Sequence, residues 1–271
     1  MQNARRDKAE LFRALHTRHR PLALANVWDV ASARITEAAG ATAIATTSAG
    51  VAWSLGVADG DKLSRDQALA VIARITAAVG VPVTADIEGG YGDGPAAVAE
   101  TIARVIDVGV VGVNIEDGTR DPAGLAARLT AARAAAHRAG VPLFLNARID
   151  TFLFGLGDPA TRLRDTLTRA RRYVDAGADG IFVPGVTEPA TITELAAAIP
   201  VPLNVMAAPG ASVHELGTLG AARVSLGSGV AQAAYAVVRR AAQELYDTGR
   251  CDAVRDGIAF PELNEHFAAT A

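Results

Sequence analysis

The sequence predicts an α/β fold, a (β/α)8 TIM barrel, on three observations. Short β-branched runs alternate with alanine-rich helical stretches, glycine and proline punctuate the joins, and no linker or shift in composition divides the chain. A chain of 271 residues, 50% hydrophobic and 20% charged, has apolar material for a large core and excludes disordered or collagen-like structure. The reading is one barrel domain over residues 1–271, with a helical extension from about residue 230.

Strands are expected at 22–27, 43–47, 81–87 and 110–115, then at 141–147, 180–183, 201–205 and 223–226. Helical spacing falls between them, at 66–79, 95–108, 125–139 and 160–176. Gly40, Gly80, Gly140 and Gly177 each follow such a stretch, and Pro82 and Pro142 stand two residues after their glycines. Glycine supplies a left-handed C-cap and proline forbids continuation, so each helix stops there and turns into a strand. The turn after the first strand reads Val27-Trp28-Asp29-Val30, with no Gly-x-Gly-x-x-Gly, which argues against dinucleotide binding in an open sheet.

Bulk properties exclude several functions. The net charge of -3 offers no basic surface for nucleic acid, and Arg169, Arg171 and Arg172 read as a solvated helix face. No apolar run reaches the ~20 residues of a membrane helix, and Met1 to Arg6 lacks a signal-peptide core, so a cytoplasmic location is expected. The single Cys251 excludes a disulfide framework or a Cys-rich zinc site. With Lys8 and Lys62 the only lysines, no strand lysine is available for a Schiff base.

In a parallel barrel, chemistry collects at the C-terminal ends of the strands. There the chain reads Thr46-Thr47-Ser48-Ala49-Gly50 and then Asp59, Asp86-Ile87-Glu88, Asn114-Ile115-Glu116-Asp117, Asn146-Ala147-Arg148-Ile149-Asp150, and Asn204. Alternation puts Asp86 with Glu88, Asn114 with Glu116, and Asn146 with Arg148 on common faces that can line the barrel mouth. Carboxylates crowded there need a cation or protons. Oxygen donors without His or Cys favour a hard ion, Mg²⁺ or Mn²⁺. Arg148 suits a substrate carboxylate or phosphate, and the small residues Ser48 to Gly50 let backbone N–H groups approach an anion. Taken singly, Asp29, Asp117 and Asp150 read as helix N-caps or surface ion pairs, and Tyr91 as a turn residue on the rim. The five histidines are assigned no role, and Ser225-Leu226-Gly227-Ser228-Gly229 reads as close packing of the next helix rather than a phosphate cradle.

Asp59, the run Asp86 to Gly92, Asn114 to Asp117, Asn146 to Asp150 and Pro202 to Val205, in this order and spacing, resemble the isocitrate lyase and phosphoenolpyruvate mutase superfamily over about residues 22–229. The resemblance implies a barrel whose eighth helix is exchanged between subunits of a homodimer or homotetramer. It also implies Mg²⁺ or Mn²⁺ near Asp86, with Asp59, Glu88 and Glu116 as ligands directly or through water. The family's ligand is an α-oxocarboxylate or its enolate, whose carboxylate would be held by Thr47, Ser48, Ala49 and Arg148, with Asn114 and Asn204 orienting the remainder. The departures are specific. The loop Gly118 to Gly124 lacks the Lys-Lys/Arg-Cys-Gly-His signature of the isocitrate and methylisocitrate lyases, Asn114 replaces a histidine, Pro184-Gly185 lacks a following glutamate, and no arginine is read on strand eight.

The expectation is therefore a metal-dependent carbon–carbon lyase acting on a small α-oxo or 2-hydroxy dicarboxylate. Decarboxylation needs no base in the gating loop, and a retro-aldol cleavage would call on Tyr91 or water. A phosphonopyruvate-type P–C hydrolase or mutase using Thr119 or Arg120 is the alternative, and a non-catalytic α-keto acid binding protein is a third.

Overall fold

The computed structural model describes residues 2–268. Its strands are β1 (Leu22–Leu24), β2 (Asn26–Val27), β3 (Ile44–Thr46), β4 (Val83–Asp86), β5 (Gly112–Glu116), β6 (Phe144–Arg148), β7 (Gly180–Phe182), β8 (Leu203–Met206) and β9 (Arg223–Ser225). All pair in parallel, in the order β1-β9-β8-β7-β6-β5-β4-β3-β2. β1 and β2 are the two halves of the expected first strand, interrupted at Ala25. Because β1 pairs with β9 and β2 with β3, the broken strand closes the sheet on itself and the (β/α)8 barrel follows.

Several strands start later than expected. The residues Val81, Val141 and Val201 precede Pro82, Pro142 and Pro202, which have no N–H to give to a ladder, so regular pairing begins only beyond each proline. Outward-facing Val113, Ile115, Leu145, Ala147, Ile181 and Val205 are buried against the surrounding helices. Each of the larger ones contributes about 1.5–3 kcal/mol by leaving water.

The helices are α1 (Gln2–Ala14), α2 (Val30–Ala38), α3 (Ser48–Ser54), α4 (Arg65–Ala78), α5 (Gly94–Asp107), α6 (Pro122–Ala139), α7 (Arg162–Asp175), α8 (Pro189–Ala198), α9 (Val213–Thr218), α10 (Gly229–Thr248) and α11 (Phe260–Ala268). Among the described residues, no helix is long and apolar enough to cross a membrane. Gly40, Gly140 and Gly177 take the expected positive φ, but Gly80 does not. There α4 ends on an extended Val79, and the Gly80 N–H is taken by Glu37 Oε1 at 2.8 Å.

α1 was not expected, and it seals the N-terminal end of the barrel. Phe12 lies against Gly112, where an added Cβ would sit 2.6 Å from its ring. The His16 ring, just past the helix, stacks on Phe144 with centroids 4.1 Å apart. At the other end of the chain, α10 does not pack along its barrel as the expected close packing after Ser225 required. Only Ala231 of its 20 residues is buried.

Candidate active site

The strand ends singled out in the sequence meet at the C-terminal mouth. The register sets Asp86 beside Asn114 beside Asn146, and one layer higher Glu116 beside Arg148. Asp86 is anchored from β3 and α3: its N–H donates to Thr46 Oγ1 at 2.9 Å, and Ser48 donates Oγ–H to its Oδ2 at 3.2 Å. Thr47 is the N-cap of α3, accepting the Gly50 N–H at 3.5 Å, and Ala49 is buried in the first turn. Gly50 has no room for a side chain, since a Cβ would lie 2.8 Å from both Thr47 and Trp28. These small residues bring α3 against Asp86.

The rim after β4 is strained. Glu88 (φ 50), Tyr91 (φ 51) and Asp61 (φ 57) are non-glycine residues in the left-handed region, which costs each of them energy that surrounding contacts must offset. Asp61 supplies such contacts. Its N–H donates to Glu88 Oε2, and its carboxylate accepts from the Gly89 N–H at 3.3 Å and from Arg120. Tyr91 is more than a turn residue, for its phenol is half-buried beside the Glu88 carboxylate. Asp59 is exposed at the mouth, close enough for its charge to act on Asp86 and Glu88.

Charge is poorly balanced here. Burial pushes the Asp86 carboxyl upward despite Arg148 nearby. Burial, with the charges of Asp59 and Asp86, raises Glu88 to about 7. Burial raises Glu116 to about 8, although Arg148 Nη1 lies 2.7 Å from its Oε2. Burial and the neighbouring carboxylates drive Tyr91 above the ordinary phenol range, so it keeps its proton and can donate it in a hydrogen bond. Burial opposes the charge of Arg148, but Glu116, Asp150 and Asp86 outweigh it and hold the guanidinium protonated.

Asp29 is a helix cap as expected, accepting the Ser32 N–H at 2.7 Å. Asp117 and Asp150 are neither caps nor surface pairs. Asp117 is fully buried and accepts from Asp150 N–H (3.0 Å), Arg169 Nη1 (2.7 Å) and Tyr173 Oη (2.8 Å). Asp150 in turn accepts from Arg148 Nε at 2.7 Å. Arg169 therefore does not belong to a solvated face: it supports the pair that orients Arg148. Asn204 is buried on β8, its Oδ1 accepting from Ser225 at 3.4 Å and its Nδ2 without a partner.

Among the described residues, no three Asp, Glu, His or Cys side chains form a ready-made cage for a metal ion. The donor set still fits a hard cation that keeps most of its waters and takes one or two carboxylates. Glu88 Oε1 is buried without a hydrogen-bond donor, and an unsatisfied buried oxygen is what such an ion or its waters would satisfy.

Sequence reasoning missed Asp61 and Arg223, and it gave Thr46 no role of its own. Arg223 corrects the reading of strand eight, since an arginine does stand on β9, fully buried. The signal was available: in Arg223-Val224-Ser225, alternation sends Arg223 and Ser225 to the same inner face.

Fold and site together define a barrel enzyme with an oxygen-rich, anionic mouth. The family model for phosphoenolpyruvate phosphomutase matches residues 12–246. An uncharacterized protein of Mycobacterium tuberculosis (strain ATCC 25618 / H37Rv) is 42% identical over 221 residues, 80% of this chain and 81% of that one. The oxaloacetate decarboxylase of Bradyrhizobium sp. (strain ORS 278) is 30% identical over 261 residues, 94% and 88% of the two chains. A crystal structure of a candidate lyase/mutase from Burkholderia cenocepacia J2315 superposes with TM-score 0.91 at 38% identity, covering 99% of this chain and 98% of that one. The chain belongs to the phosphoenolpyruvate phosphomutase family, within the isocitrate lyase/PEP mutase superfamily of lyases and mutases.

Proposed function

We propose that this protein is a divalent-metal-dependent carbon–carbon lyase that decarboxylates a small α-oxo dicarboxylate of the oxaloacetate type. The observation that carries the reading is the cluster Asp86, Glu88 and Glu116 at one barrel mouth, Glu88 buried and the other two partly exposed, with Arg148 as the cation among them. The oxaloacetate decarboxylase relative supports the substrate class.

Asp86, with Asp59, Glu88 and Glu116, would hold Mg²⁺ or Mn²⁺, directly or through water. A bound Mg²⁺ or Mn²⁺ supplies Lewis-acid stabilisation of the negative charge that develops as carbon dioxide leaves. Arg148, oriented by Asp150 and stacked 6.0 Å over Phe182, binds the α-carboxylate together with the Thr47, Ser48 and Ala49 turn. Asn114 and Asn204 orient the other oxygens. Breaking the carbon–carbon bond sends its electron pair toward the α-oxo oxygen, and the carbon then needs only a proton. Tyr91, which keeps its proton beside Glu88, is a donor for that step. It is unsuited to take the hydroxyl proton of a retro-aldol substrate, so decarboxylation is preferred over that route.

The family's own description favours a second reading, transfer or hydrolysis at a P–C bond, with Arg120 or Thr119 acting from the loop after β5. Incubation with oxaloacetate or phosphonopyruvate and Mg²⁺, following pyruvate, carbon dioxide and phosphate, separates the two. Release of phosphate without carbon dioxide from any candidate would overturn the decarboxylase reading.

We also propose one domain acting in the cytoplasm as a homodimer or homotetramer that exchanges α10. Two features support exchange. A groove of about 690 Å³ runs outside β1 and β9, lined by Ala23, Ala25, Thr36, Ala39, Val213 and Val224, where an eighth barrel helix would lie. α10 meanwhile exposes Val237, Val238, Leu245 and Tyr246.

A further inference from the structure

Arg223 opens β9, yet its side chain lies wholly inside the barrel. It crosses the lumen to β5, four strands round the sheet, where Nη2 donates to Asn114 Oδ1 at 3.2 Å. The same oxygen accepts Asn146 Nδ2 at 2.9 Å. Nε and Nη1 of Arg223 have no partner, nor has Nδ2 of Asn204, its register neighbour on β8. A buried guanidinium with two unsatisfied donors is a costly strut for a barrel that apolar side chains fill more cheaply.

Two consequences follow from the chemistry of arginine. A guanidinium only donates, so the Asn114 atom it touches must be the oxygen, and the Nδ2 of Asn114 is left as the group that can donate to a ligand. The cation also sits below a mouth in which Glu116 and Asp150 pair with Arg148 and Asp86 and Glu88 add their charge. Of those carboxylates, Asp86 is the one whose field favours the Arg223 charge.

We infer that Arg223 is a positioning residue: a buried cation that partly offsets the carboxylates at the mouth and holds Asn114 as a donor toward an anionic ligand. The inference rests on the reading of the mouth as a site for a divalent cation and a keto acid. It predicts effects of opposite sign on the two. Removing the charge makes the mouth more attractive to a cation and less attractive to an anion, whereas a packing defect weakens both.

The test is calorimetric titration of Mn²⁺ alone, then of oxalate onto the Mn²⁺-loaded protein, for wild type, Arg223→Met and Arg223→Lys. For Arg223→Met, Mn²⁺ binding is expected to tighten about tenfold and oxalate binding to weaken about tenfold. Arg223→Lys keeps the charge but not the reach to Asn114, so Mn²⁺ affinity stays within about twofold of wild type while oxalate still weakens. If Arg223→Met does not fold, the lysine variant decides. Unchanged affinities, or losses of both together, would overturn the inference while wild-type Mn²⁺ binding preserves the reading of the mouth. Failure of the wild type to bind Mn²⁺ would sink that reading, and the inference with it.

Discussion

Asp86 receives the Thr46 and Ser48 contacts, faces Arg148 and lies next to Asn114, so it is the residue on which the site turns. Asp86→Asn should abolish Mn²⁺ binding and lower turnover by at least about a hundredfold, with a melting temperature equal to or above that of wild type because a buried charge is removed. A melting temperature far below wild type would mark Asp86 as structural instead. Glu116 gives a pH signature. Its folded pKa, about 8, lies above the 4.5 of an unperturbed glutamate, so the stability it contributes is full below pH 4.5 and is lost as pH rises through 8. His16 pulls the other way. Burial lowers its pKa from 6.5 to about 3, so its contribution is full above pH 6.5 and is lost as pH falls toward 3. The metal-free protein should therefore lose stability, on the order of 1–2 kcal/mol, between pH 6.5 and 8. Glu116→Gln should flatten that slope, and added Mg²⁺ should reduce it, as urea denaturation at several pH values will read. At this scale the sequence was most legible where alternation along a strand fixed direction, as for Asp86, Asn114, Glu116 and Arg148. It was least legible for Asp61, whose contact with Glu88 depends on a left-handed loop conformation that no residue pattern announces.

Strands were found within a few residues because β-branched runs bounded by glycine and proline have few other uses. Their starts were misplaced where proline withholds its N–H from the ladder. α1 escaped notice because Met1-Gln2-Asn3-Ala4-Arg5-Arg6 offers polar residues and no cap signal, while its value lies in two residues, Phe12 and His16, that close the barrel floor. That closure is specific. Gly112→Ala would drive a methyl into the Phe12 ring and should cost about 1–3 kcal/mol, read as a lower urea midpoint, with little change in Mn²⁺ affinity at the opposite end of the barrel. Thr47→Ala removes the cap of α3 and should cost about 1 kcal/mol. Because α3 carries Ser48 to Asp86, this variant should also raise the KM for the keto acid, a coupling that Gly112→Ala should lack.

For the whole molecule, the broken first strand, the groove outside it and the unburied α10 belong to one argument about assembly. Val238 and Tyr246 are 63% and 82% exposed, so the helix offers an apolar surface that a second subunit's groove can cover. The double variant Val238→Asp, Leu245→Asp should lower the mass measured by light scattering, whereas an unchanged mass would remove the case for exchange. The barrel could be inferred from sequence because repetition marks every strand and helix. Where α10 docks is implied only by the family resemblance and not by its residue pattern, since an amphipathic helix looks alike whether its apolar face meets its own barrel or another.

The lumen of this barrel carries Asn26, Thr84, Asn114, Asn146, Asn204, Arg223 and Ser225 beside Leu22, Leu24 and Phe144, while most of the aliphatic side chains that hold the fold lie between sheet and helices. Robustness and chemistry thus occupy separate compartments. The outer annulus can keep the molecule folded while residues inside are exchanged for others of new polarity, so a lineage can try different substrates on an unchanged frame. That separation gives a physical reason why decarboxylases, mutases and lyases are found among barrels of this one superfamily.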